Sequence, residues 1–243
     1  MDDHKSDNTE IEQERIRRIF ALLKQHYPHA RTGLHFDSPY QLFVAVLLSA
    51  QTTDGQVNRI TAPLFAAVPT VQAMAGLEPA ELEPYLRRCG LYRNKSRYLV
   101  AASRIIVERF SGVLPDNFED LTSLPGIGRK SANVILNAAF GQPALAVDTH
   151  VFRVSRRLGL ARSKSTAGVE EELKSRLPPR EWGPAHHRLI AHGRTLCRAR
   201  SPQCPCCFLK DLCLWEKAAP AGRSIHLDSA SRDLTVPGKI PKS

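Results

Sequence analysis

The strongest constraint on this chain is a succession of helix start and stop signals with no sustained period-2 alternation between them. Thr9 followed by Glu12 reads as a capping box, and Ile16, Ile19, Phe20 and Leu23 then recur at helical spacing until Pro28. Ser38, Pro39 and Gln41 supply an N-cap, a first-turn proline and a capping-box partner for a second helix through Ala50. Its near-continuous apolar run, Leu42 to Leu48, implies burial on most sides. Shorter helices are expected over 54–61, 71–76 and 79–88, and a longer one from Asn94 to Phe110, stopped by Gly112 and Pro115. A short helix from Asn117 to Ser123 and another from Arg129 to Phe140 flank a tight turn. Asp148 stands as N-cap before Val151, Val154 and Leu158, with Gly159 as the stop, and further helices fit 166–177 and 184–197. The fold class is therefore all-α. Residues 217–243 lack a helical stripe and are rich in Ser, Pro, Gly and charge, so they read as a loose tail.

Charge narrows the partners. The net charge is +10, and it is unevenly placed: residues 1–150 carry 16 basic and 16 acidic side chains, residues 151–243 carry 18 against 8. A neutral first part and a basic second part point to a densely negative partner, nucleic acid first. The apolar run from Leu42 to Leu48 is far too short to span a bilayer, and the acidic start (Asp2, Asp3, Asp7) does not suit a signal or transit peptide. A soluble protein of the cytoplasm, nucleoid-associated if bacterial, is expected.

Leu124-Pro125-Gly126-Ile127-Gly128-Arg129-Lys130 joins two helices through glycines that let the backbone approach a ligand closely. The helix N-terminus behind it offers unpaired N–H groups to a phosphate oxygen, a contact that positions a duplex without reading its sequence. Leu124 and Ile127 would pack the two helices together. A nucleotide-binding P-loop fails, because Arg129 intervenes between Gly128 and Lys130 and no strand precedes the turn. An ordinary turn between two helices is the plain alternative.

Five of the six cysteines lie between Cys197 and Cys213, a crowding that in a protein of this kind points to metal. Cys197, Cys204, Cys207 and Cys213 form C-x6-C-x2-C-x5-C. Four thiolates suit either a tetrahedral zinc or the four irons of a [4Fe–4S] cube, and spacing alone leaves both open. Cys206 offers an alternative ligand register, and Cys89 reads as a small buried hydrophobe.

The run Leu124 to Asn133 (LPGIGRKSAN), Val147 to His150 (VDTH), Leu47 to Asp54 (LLSAQTTD), Gly90-Leu91-Tyr92 and the cysteine cluster together resemble the helix-hairpin-helix DNA glycosylases. The likeness is to the endonuclease III family of bifunctional glycosylase/AP lyases acting on oxidised pyrimidines, and it spans about residues 12–216. By that resemblance Lys130 is the nucleophile and Asp148 its assistant. Gln51 and Leu91 plug the gap left by an extruded base. Leu124, Gly126, Ile127, Gly128, Arg129 and His150 belong to the DNA-binding surface, and Cys197, Cys204, Cys207 and Cys213 hold a [4Fe–4S] cluster. Arg87, Arg88, Arg93 and Lys95 flank Leu91 and suit a DNA-facing loop. His186, His187 and His192 receive no role.

The chemistry fits both catalytic residue types. Breaking an N-glycosidic bond builds positive charge on the sugar, which a carboxylate stabilises. A neutral amine can attack the anomeric carbon, expel the base and form a Schiff base that opens the way to β-elimination. Lys130 is accordingly expected to be buried in a cleft beside Arg129, both disfavouring its charged form.

The resemblance implies two helical domains flanking a cleft: residues 32–142 with the hairpin, and a discontinuous iron–sulfur domain of 1–31 and 143–216. The implied partner is double-stranded DNA with damaged pyrimidines or abasic sites, bound by a monomer, with no membrane association. Two alternatives stand beside this. A related mismatch glycosylase would carry a carboxylate near Leu47 and no lysine at Lys130, and a non-catalytic hairpin DNA-binding protein would have no use for Lys130 with Asp148.

Overall fold

Eleven α-helices and no strand make up the described residues, 3–215 of the computed structural model. Local sequence explains most of the boundaries. In α2 (Pro39–Leu48) the Ser38 hydroxyl accepts from the Gln41 backbone N–H at 3.2 Å, and Gln41 reaches back to the Asp37 N–H at 2.8 Å. α3 (Asp54–Ala67), α4 (Val71–Ala75) and α7 (Phe118–Ser123) are capped by Thr53, Thr70 and Asn117 in the same way. α5 (Pro79–Leu86) opens on a capping box of Glu78 and Glu81. α6 spans Tyr92–Phe110, α8 Arg129–Phe140, α9 Thr149–Leu158, α10 Thr166–Arg176 and α11 Trp182–Thr195.

Two expectations fail. α1 runs from Asp3 to His26, so Thr9 and Glu12 lie inside a helix rather than at its start, and Glu12 instead pairs with Arg15 at 2.8 Å. α3 continues to Ala67 through Pro63, which sits in its third turn, past the expected stop at residue 61. The apolar positions Leu64 and Phe65 beyond the proline pack into the core, and that burial outweighs the lost hydrogen bond. The predicted tail, 217–243, lies outside the described residues.

Buried apolar side chains gather in two clusters. One draws on Leu34 to Ala144, with α2 as its centre: Leu42 through Leu48 are buried, and α3, α6 and α8 pack around that helix. The other joins Ile16, Ile19, Phe20 and Leu23 of α1 to residues from Leu145 to Leu209, with α11 against both α1 and α9. Between them runs an irregular segment, 141–148. It is held from both sides: Asn133 of α8 donates to the Leu145 carbonyl at 3.1 Å, and His186 of α11 bonds the Ala146 carbonyl at 2.7 Å. That double tether leads the chain directly into Asp148.

Candidate active site and cysteine pocket

α7, the turn 124–128 and α8 form the helix-hairpin-helix element. Gly126 adopts φ +83°, and a Cβ there would meet Tyr98 at 3.1 Å and Leu47 at 3.2 Å, so both conformation and space require glycine. Gly128 caps α8 in extended backbone, with no side chain over the first-turn N–H groups. Leu124 and Ile127 are buried in the first cluster. They lock the hairpin from within, and their side chains offer DNA nothing. What this turn presents outward is thus mainly backbone, from Gly126 to the start of α8.

Arg129 and Lys130 open α8. Arg129 makes a two-pronged pair with Glu170 of α10, Nε to Oε2 at 2.8 Å and Nη2 to Oε1 at 3.1 Å, and its guanidinium lies over the Phe118 ring. Glu170 is 3% exposed and also takes Lys174, so Arg129's charge is answered from the second cluster. Burial pushes the Glu170 carboxyl up, but the bonds from Arg129 and Lys174 outweigh it and hold it below its ordinary value. Lys130 itself is exposed, contrary to the expected burial. Its place at the first turn of α8 leaves nothing to cover it, and Arg129 turns away towards Glu170.

Asp148 is an N-cap with capacity to spare. Its Oδ1 accepts from the backbone N–H groups of His150 at 2.9 Å and Val151 at 2.8 Å, and Oδ2 faces His150 Nδ1 at 3.3 Å. Burial raises the carboxyl's pKa, yet the Val151 N–H and the nearby His186, His150 and Lys130, in their protonated forms, more than offset it, leaving it below the ordinary value. Lys130 and Asp148, 18 residues apart, stand at the N-terminal ends of α8 and α9, which the 141–148 segment joins. Asn133, one turn along α8 from Lys130, draws the 145–148 segment against that helix.

His186 belongs to this site and was missed. It is 6% exposed, and burial, with His187 next to it, depresses its pKa to about 4, so it is neutral at physiological pH. Its bond to the Ala146 carbonyl then requires the proton on Nδ1, leaving Nε2 as an acceptor. Nothing local marks it, because its partners Ala146 and Asp148 lie about forty residues upstream.

Gln51 and Leu91 are both exposed, and both carry positive φ, +56° and +59°. Arg87, Arg88 and Arg93 are exposed around Leu91, as expected. Lys95 is not: it is 3% exposed and turns inward, away from any DNA-facing surface.

Cys197, Cys204, Cys207 and Cys213 line one pocket together with Arg157, Leu158, His192, Leu196 and Trp215. Cys206 is not among the lining residues; it is exposed, its thiol directed to the Gln203 carbonyl. Burial, with Cys213, Cys197 and Cys206 nearby, raises the Cys207 thiol. Two arginines of α9 brace this loop: Arg153 bonds the carbonyls of Gly193 and Cys197, and Arg157 those of Arg198 and Ala199 at 2.7 and 3.0 Å. The helix that begins at Asp148 thus ends against the cysteines. Arg198, Arg200 and Lys210 are exposed on the same loop. Cys89, far away, is 2% exposed in the first core cluster.

No described helix is long and apolar enough to cross a membrane. Residues 44–179 match the HhH-GPD superfamily of base excision DNA repair proteins. Endonuclease III of Escherichia coli (strain K12) is 43% identical over 199 residues, covering 82% of this chain and 94% of its own length. Endonuclease III of Bacillus subtilis (strain 168) is 45% identical over 188 residues, 77% of this chain and 86% of its own. Among solved structures, a trapped endonuclease III–DNA covalent intermediate superposes with a TM-score of 0.81 at 42% identity, over 84% of this chain and 97% of that one. A thermostable thymine-DNA glycosylase, 20% identical, shares the fold with a TM-score of 0.77 over 87% and 99% of the two chains. Family match, identity and superposition agree, and this chain belongs to the endonuclease III family within the HhH-GPD superfamily of base excision DNA repair proteins.

Proposed function

We propose that this base excision repair glycosylase/AP lyase removes oxidised pyrimidines from double-stranded DNA, with Lys130 as nucleophile and Asp148 as its carboxylate partner. One observation carries the assignment: Asn133, one turn along α8 from Lys130, bonds the Leu145 carbonyl and so holds the segment that ends in Asp148 against the helix that Lys130 opens. With Oδ1 committed to two backbone N–H groups, Oδ2, which meets His150 Nδ1 at 3.3 Å, keeps a lone pair for the sugar cation. Lys130 in its uncharged form attacks C1′; the glycosidic bond breaks and the base leaves with its electron pair. The proton lost from the attached amine passes to O4′ as the C1′–O4′ bond breaks, giving the open-chain protonated Schiff base, which acidifies the neighbouring sugar C–H for β-elimination. Asp148 Oδ2 is the acceptor available within the site.

Gln51 and Leu91 fill the gap in the stack, and Gly126, Gly128 and the first turn of α8 take the phosphates through backbone N–H groups. Arg129 and His150 act from behind, Arg129 by tying α8 to Glu170 and His150 by lying against Asp148 Oδ2. The two buried clusters are read as the two domains, 32–142 and 1–31 with 143–216, with the site between them. The enzyme acts as a monomer, in the compartment that holds the DNA.

The cysteine pocket fits a [4Fe–4S] cluster held by Cys197, Cys204, Cys207 and Cys213. Four cysteines share its lining, and their C-x6-C-x2-C-x5-C spacing holds one short C-x2-C hook where zinc sites usually pair two. The cluster would supply four strong bonds that hold a loop bearing Arg198, Arg200 and Lys210 towards the DNA backbone. Borohydride trapping on DNA with an oxidised pyrimidine tests the catalytic assignment: a covalent complex is expected with the wild type and none with Lys130→Ala. Binding without trapping in the wild type would favour the non-catalytic reading.

A further inference from the structure

Gln51 and Leu91 share an oddity: each is a non-glycine residue in left-handed backbone, which L side chains adopt only when their surroundings impose it. They sit on separate loops, one closing α2 and one opening α6, and the loops touch where Gly90 passes the Gln51 carbonyl (a Cβ on Gly90 would stand 3.6 Å from it). Behind both lies the amino group of Lys95, reaching back from the first turn of α6. Its Nζ donates to the carbonyls of Leu48, at 2.9 Å, and Ala50, and meets Thr52 Oγ1 at 3.2 Å and Cys89 Sγ at 3.1 Å. Thr52 Oγ1 and Cys89 Sγ are themselves 3.2 Å apart, and the thiol donates to the Leu48 carbonyl.

We propose that Lys95 is a positioning residue for base extrusion: its buried amino group ties the two loops into one rigid unit and holds Gln51 and Leu91 ready to enter the stack. Every partner of Nζ flanks one of the two exposed side chains: Leu48, Ala50 and Thr52 on the Gln51 side, Cys89 on the Leu91 side. The head also answers carbonyls at the C-terminal end of α2, where a positive group is favoured and where backbone acceptors have no helical partner. A lysine here is not a DNA contact, since it is 3% exposed. Its α-carbon is fixed as well, because the Lys95 N–H bonds the Leu91 carbonyl at 3.1 Å. Side chain and backbone of one residue thus grip both loops.

The inference rests on the glycosylase reading, and the test separates the two. Lys95→Met keeps the length and apolar stem while removing the donors. Excision of an oxidised pyrimidine from intact duplex requires extrusion; borohydride trapping at an abasic site in a single strand does not, because no stack has to be opened. The variant is expected to lose about tenfold or more in duplex kcat/KM and to trap on the single strand within about twofold of wild type. Combining it with Leu91→Ala should cost little beyond either change alone, as for residues acting as one unit. Equal losses on both substrates, no loss on either, or full additivity would overturn the proposal. Amide hydrogen exchange gives a readout independent of activity: exchange should accelerate at residues 50–52 and 89–92 together. Acceleration at one loop alone, or at neither, counts against it. Should Lys95→Met fail to fold, Thr52→Val removes one link of the knot and is expected to show the same duplex-selective loss in smaller measure; a uniform loss would refute it. Wild-type protein that never traps would contradict the assigned activity, while the exchange experiment would still decide the role of Lys95.

Discussion

Replacing Asp148 by asparagine separates the two duties of that side chain. As a cap, Asp148 satisfies two backbone N–H groups through Oδ1 at 2.8 and 2.9 Å, and an asparagine carbonyl oxygen can accept both. Exchanging a charged acceptor for a neutral one weakens those bonds, but relieving the burial of a carboxylate works the other way. The net change in stability is expected to stay within about 1 kcal/mol, a shift in Tm of about 2–4 °C at most for a chain of this size. Asp148→Ala, which leaves both N–H groups without their acceptor, should cost about 1–2 kcal/mol. The catalytic effect is larger. A carboxylate about 4 Å from a sugar cation contributes about 4 kcal/mol at an effective dielectric of about 20, or about a thousandfold in rate. Single-turnover release of a damaged pyrimidine from duplex DNA, read beside thermal unfolding of the same samples, measures both quantities. Asn should match wild type in unfolding yet fall about a hundred- to a thousandfold in base release. If the Asn variant released base within about tenfold of wild type while folded, the electrostatic role of Asp148 would be wrong. Were it as unstable as the Ala variant, the capping role would be.

Glu170→Gln should weaken the tie between α8 and α10. Because the Arg129 side chain is 48% exposed, the loss is expected to be about 1–3 kcal/mol rather than that of a fully buried pair. Glu170's carboxyl is held below its ordinary value, so its contribution is present above the unfolded-state pKa and disappears as pH falls through the acid range. Wild type should therefore lose stability between about pH 5 and 3 more steeply than Glu170→Gln; parallel curves would deny the pair that role. Freshly isolated protein should contain iron and acid-labile sulfide in equal amounts, about four of each per chain. Cys206→Ser should leave that content unchanged, whereas Cys207→Ser should lower it. Zinc in place of iron would refute the cluster, and iron loss in Cys206→Ser would refute the ligand register.

Helix limits were legible wherever a short polar side chain caps an N-terminus. Ser38, Asn117 and Asp148 all bond the N–H groups that their positions suggest, and α8 ends at the Gly141 left-handed stop. Thr9 misled because α1 extends upstream of it to Asp3, through Asp, Ser and Asn residues whose low helix propensity gave no sign of it. The hairpin turn, the VDTH segment and the cysteines were visible as short-range patterns. What sequence could not convey is burial of charge. Lys95 was taken for part of a DNA-facing loop, yet it falls on the same buried stripe as Leu99, Ala102 and Ile106, and that spacing was the available signal. Glu170 lies likewise between Val169 and Leu173 on the inner face of α10. His186 and the exposure of Lys130 depend on contacts between distant segments, for which no local periodicity exists. The pocket that includes Cys207 and excludes Cys206 is likewise a matter of three-dimensional direction, since the two are adjacent in the chain.

The most direct test of the central claim is the site of covalent attachment. Wild-type protein, reacted with duplex DNA containing an oxidised pyrimidine under borohydride, is digested and the nucleotide-bearing peptide is sequenced by mass spectrometry. The adduct is expected on the Nζ of Lys130 and nowhere else, and to vanish in Lys130→Ala while that variant still binds the same duplex. An adduct on another lysine or on the N-terminal amine, undiminished in Lys130→Ala, would contradict the account.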